Sequence, residues 1–168
     1  MTSEGSIDRL LAAEWSRRRF IGRSMGAGLA LAGLGFIDTT AGDYRNADRH
    51  LRDARDIFRR AGDRWGLAST LWRTADLAFA RGSADDAEAA LQEARSVLEV
   101  TQRDRWIANT LAGLAEVAIL RGDTARAAAL LSEAGARYAA RDDAAGVMDA
   151  EERLAALQTE AESALSAL

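Results

Sequence analysis

Two carboxylates, Asp76 and Glu116, stand forty residues apart. Paired acids on neighbouring helices are the minimum for acid–base work on a glycosidic bond, but that chemistry also needs surroundings that drive their two pKa values apart. No closed apolar pocket that would do so is visible in the sequence. The single histidine, His50, lies among arginines, which leaves a Ser/His/Asp hydrolase unsupported and rules out a multi-histidine metal cluster. With no cysteine and no lysine, all 22 basic residues being arginine, thiolate nucleophiles, zinc–thiolate sites, Schiff bases and the phosphate-binding lysine of a P-loop are excluded. The expectation is a non-enzyme with no catalytic residue, no metal and no cofactor.

The arginines suggest phosphate chemistry instead. Arg45, Arg49, Arg52, Arg55, Arg59 and Arg60 follow Arg17, Arg18, Arg19 and Arg23. Asp48 and Arg52, Asp56 and Arg60, and Arg49 and Asp53 are each four apart, however, the spacing of helical surface ion pairs worth ~0.3 kcal/mol each. A compensated, solvated face results, which disfavours nucleic acid as a partner. The net charge of −4 divides into +3 over residues 1–62 and −7 over 63–168, a polarity suited to partners of opposite sign or to head-to-tail association.

Ser16-Arg17-Arg18-Arg19-Phe20-Ile21 resembles a twin-arginine export signal, with an apolar stretch from Ser24 to Ile37 and Thr39-Thr40-Ala41 as a cleavage site. Against export, Glu4, Asp8 and Glu14 precede the arginines, and the apolar stretch also fits the internal pattern described next. Cytoplasmic residence is the expectation and export the alternative. The stretch is too short and glycine-rich to span a membrane.

The elements that position these groups follow from a forty-residue repeat. At 168 residues, 48% hydrophobic and without proline, the chain suits one all-helical domain able to bury ~70% of its unfolded surface. Shifting the sequence by forty aligns Gly42, Gly82 and Gly122, each followed by a capping residue. Ala47, Ala87 and Ala127, then Leu51, Leu91 and Leu131, then Ala54, Ala94 and Ala134 continue the register on one helical face. Upstream, Leu31, Leu71 and Leu111 align, with the small residues Gly35, Ala75 and Ala115 four positions on, where two helices can approach closely. Asp63-Arg64-Trp65 and Asp104-Arg105-Trp106 precede the second and third of these leading helices, with each Asp placed to cap. Helices are predicted at 7–18, 22–41, 44–61, 64–81, 84–101, 105–121, 124–140 and 144–166.

Each unit is a helix, a Gly-led turn and a second helix, and Gly42-Asp43-Tyr44 followed by Ala47, Leu51 and Ala54 resembles the tetratricopeptide repeat. The forty-residue period exceeds the common 34 and the terminal proline is missing, departures similar to the longer repeats of bacterial LuxR-type and other ATP-dependent transcription regulators. The resemblance implies an all-α solenoid of antiparallel helix pairs: an N-terminal helix within 1–21, repeats at 22–62, 63–103 and 104–142, and a capping helix within 143–168.

It also implies a concave groove lined by the leading helices that binds a peptide or partner helix, as a regulatory, sensor or scaffold module. By the family's pattern the groove positions are Phe36 and Thr39, then Ser69, Trp72, Asp76 and Phe79, then Asn109, Ala112, Glu116 and Ile119. Trp72 and Phe79 would take an apolar side chain, while Asp76 and Glu116 would pair with a basic residue of the partner. Trp65 and Trp106, recurring at one place, are expected to close the joint between units. Exposed end faces leave room for a homodimer.

Overall fold

The computed structural model describes residue 22 and residues 25–166, with the side chains of 160–162 and 164–166 left aside. Among the described residues it is an all-α array of seven helices: α1 (25–40), α2 (Tyr44–Ala61), α3 (Arg64–Ala80), α4 (Ala84–Glu99), α5 (Asp104–Leu120), α6 (Thr124–Ala139) and α7 (Ala144–Ser166). The expected helices at 22–41 through 144–166 fall within one or two residues of these bounds, α1 apart, where residues 23 and 24 are not described. The helix expected at 7–18 and the arginine pair of the export reading lie outside the described residues. No described helix is long and apolar enough to cross a membrane.

The second helix of each pair buries one stripe, Ala47, Leu51, Ala54 and Phe58 on α2 and their register equivalents on α4 and α6, all below a tenth exposed. The leading helices α3 and α5 are covered on two sides. Their buried sets therefore wrap further around the axis, from Leu67, Thr70 and Leu71 to Leu77 and Ala78 on α3. Consecutive helices pack on one another along the chain, giving an α-solenoid of antiparallel pairs. The small residues do what their spacing implies: a Cβ on Gly35 would lie 2.6 Å from Leu51, and Ala75 and Ala115 are essentially inaccessible.

Turns follow from backbone chemistry. Gly42, Gly82 and Gly122 take φ of 79°, 71° and 71°, the left-handed region that glycine enters without steric cost. The amides after them bond back to Asp38, Ala78 and Ala118 carbonyls at 2.9 Å, closing each helix end. Asp43, Asp63, Ser83 and Asp123 then accept from the amides three residues on.

Asp104 departs from expectation. It is the first residue of α5, one place too late to cap, and Arg103 holds the cap position without a side-chain bond. The Asp104 carboxylate instead meets Arg137 and Arg141 at 3.4 and 3.5 Å.

The arginine ladder is also rearranged. Asp48 pairs with Arg52 as expected, but Asp56 meets Arg59 at 3.6 Å, and Arg49 donates to Asn46 at 3.0 Å. Longer-range pairs tie one unit to the next: Arg59 to Glu93 at 2.7 Å, Arg95 to Glu133 at 3.0 Å, and Glu88 to both Arg121 and Arg126. Hydrogen bonds from Arg126 and Arg121 hold the Glu88 carboxyl below its ordinary pKa.

Candidate functional site

The leading helices are joined side by side through long side chains. The Arg73 guanidinium of α3 lies 4.9 Å from the centre of the Phe36 ring of α1, a cation–π contact. Trp72 of α3 donates its indole N–H to Thr110 Oγ1 of α5 at 2.9 Å. Arg153 of α7 donates to Glu116 of α5 at 2.8 Å. Phe36, Trp72 and Glu116, expected on one surface, thus mark three successive joints of that row.

Most of the expected groove residues are engaged by the protein itself. Trp72 packs in a cluster with Trp65 and Trp106, edge-on to the first at 5.9 Å between ring centres and tilted on the second at 5.1 Å, and Trp65 and Trp106 are 4.5 Å apart. This closes the α3–α5 joint, the place given to Trp65 and Trp106 by their recurrence. Phe79 packs on the cluster around Ala78, Leu91 and Val117, and Ile119 on the cluster around Leu131 and Leu157. Asn109 accepts from the Tyr138 hydroxyl at 2.6 Å, and Thr39 donates to the Gly35 carbonyl at 2.7 Å. Glu116, held by Arg153, already has its cation.

Of the remaining four, Phe36 is 46% exposed, Ser69 and Ala112 are half-buried, and Asp76 is exposed. Asp76 combines two properties. Its side chain is reached by solvent, yet loss of hydration raises its carboxyl above the ordinary pKa, and Arg73 only partly offsets this. Asp76 makes no ion pair among the described residues. On α3 it follows Trp65, Ser69 and Arg73 at spacings of four, four and three, so the four share one helix face.

Beside that face lies a cavity of about 310 Å³ between α1 and α3, walled by Met25, Leu29, Ala32, Trp65, Ser69 and Arg73 among others. Met25, Leu29, Trp65 and Arg73 were not singled out as lining residues from sequence. The signal for them was nevertheless present in the register, where Gly66 stands at the place of Trp106 and Ala32 at that of Trp72.

Gly22-Arg23-Ser24-Met25-Gly26 has the residue spacing of a hydrolase nucleophile turn, which requires a strand leading into a sharp turn and a helix. Residue 22 is helical and α1 has already begun at residue 25, so the described residues do not supply that context. His50, the one histidine, places Nδ1 2.7 Å from Asp38 Oδ2 and thereby links α2 to α1.

Compared with known families, residues 26–99 match the tetratricopeptide repeat. No curated protein matches the chain.

Proposed function

From a chain whose residues 26–99 are tetratricopeptide repeats, we propose a non-catalytic interaction module that takes a peptide or partner helix along the row of leading helices, with Asp76 as the contact for a basic residue of that partner. Repeats of this family mediate protein–protein interaction or scaffolding. One observation carries the finer reading: Asp76 is exposed on α3 and makes no ion pair among the described residues, while loss of hydration holds its carboxyl above the ordinary pKa. A carboxylate that has lost hydration without gaining a counter-ion is stabilised when a cation arrives, so binding a basic side chain relieves a cost already present in the free protein. Phe36, half exposed on α1 and in contact with Arg73, whose charge also acts on Asp76, supplies apolar surface.

Trp72 and Glu116 carry less of the proposed contact, since each already has a polar partner within the protein. Asp76→Arg tests the reading. It should keep the helical circular dichroism signal and lose the proteins that the wild type retains from a lysate of the source organism, identified by mass spectrometry. A folded Asp76→Arg chain that retains the same proteins would remove Asp76 from the contact surface.

A further inference from the structure

We propose that the cavity between α1 and α3 is a receptor for an aromatic side chain, tryptophan foremost, presented by a partner peptide. The molecule itself shows what fits there. In the α3–α5 joint the tryptophans at 65, 72 and 106 fill the space between two leading helices. Forty residues earlier the same three places hold Met25, Ala32 and Gly66, and all three line the 310 Å³ cavity. At these three register positions the α1–α3 joint carries no indole; the one tryptophan among the lining residues is Trp65, at a different place on α3. Its volume falls at the lower end of ligand pockets, ~300–1,000 Å³.

The walls suit a ring. Leu29 and Met25 offer exposed apolar surface at 71% and 40%, and Trp65 lines the cavity from α3. Arg73 lies on the wall with its guanidinium already over one ring, that of Phe36, and Arg103 sits 5.1 Å over Trp65. A cation beside an incoming π-face favours an aromatic over an aliphatic guest of equal size. Ser69 and Asp63 supply oxygen acceptors for an indole N–H, which seldom stays unpaired when buried.

This site stands independently of Asp76, and its test uses a different probe. N-acetyltryptophanamide is titrated into the full chain while the indole N–H resonance of Trp65, assigned with Trp65→Phe, is followed by NMR. Saturable displacement is expected, with N-acetylleucinamide binding about fivefold more weakly, the factor a ring contact supplies. Ser69→Phe fills the cavity from within and should abolish the shift. Leu29→Arg, at a position too exposed for the fold to depend on it, should weaken it. The proposal is overturned by an absence of saturation, by equal affinity for the leucine probe, or by undiminished binding in both folded variants. It is also overturned by nuclear Overhauser contacts from Trp15 or Phe20 to Leu29 in the free protein, since the chain would then fill the space itself.

Discussion

The α3–α5 joint and the α1–α3 joint are built on one backbone plan and filled differently. In the first, three indoles meet within 6 Å of one another; in the second, their register equivalents leave about 310 Å³ open. The difference teaches that a repeat specifies helix spacing through its small and apolar stripe, while side-chain volume at the joint is free to vary. A closed joint contributes stability, and an open one provides a receptor. A related exchange of volume occurs one layer deeper. Phe58 and Tyr138 each face a glycine, Gly66 and Gly146, whose Cβ would lie 2.3 and 2.4 Å from the ring, whereas Leu98 stands opposite Trp106.

The sharpest way to break the contrast is truncation on its two sides. Leu111→Ala, at an inaccessible core position of the filled joint, should cost ~2–5 kcal/mol in urea unfolding, whereas Leu29→Ala at the open joint should stay within ~0.5 kcal/mol. Equal losses would mean that the two joints do not differ in packing. Next in size, Gly66→Ala should cost ~1–3 kcal/mol by pressing on Phe58, and Phe58→Leu should absorb part of that cost in a double-mutant cycle. Additive losses would show that glycine and ring do not trade volume.

A smaller effect concerns the helix ends. Gly62 and its register equivalent Gln102 both have positive φ, 68° and 50°, so Gln102→Gly should raise stability by ~0.5 kcal/mol, readable as a higher melting temperature.

The smallest effects are set by pH and have opposite signs. Asp76 has a raised folded pKa, so the native state holds its proton more tightly and stability falls as pH rises through the carboxylate range. Asp76→Asn should therefore melt slightly higher than wild type near neutral pH and lose that advantage in acid. Glu88 has a depressed folded pKa, so its contribution is present above the ordinary carboxylate range and is lost as pH falls. Glu88→Gln should melt lower near neutral pH and converge with wild type in acid. Parallel behaviour of the two variants would show that the carboxylates sit in alike surroundings.

The fold was largely legible because glycine turns, caps and the Ala-x3-Leu-x2-Ala stripe are local, and local rules repeat. The site was legible only in part. Asp76, Ser69 and Phe36 were placed by the family's pattern, but that pattern cannot tell whether Trp72 faces a partner or another indole. That depends on a neighbour thirty-eight residues away, Thr110, and on the ring of Trp106. Glu116 depends on distance in the same way: its ion-pair partner, Arg153, comes from a helix thirty-seven residues on. Asp104 shows the opposite limit, where a one-residue offset converts an expected cap into a ligand for two arginines.

Chain reversals with positive φ recur at 42, 62, 82, 102, 122 and 142, so every twenty residues a new layer is laid on the last. Among the described residues the main contacts run between consecutive helices, and no element clamps both ends of the stack at once. Pulled from its termini, it should peel rather than rupture, releasing one helix at a time in steps of about 70 Å of contour at ~3.5 Å per residue. Such a molecule yields gradually under load, as a spring does.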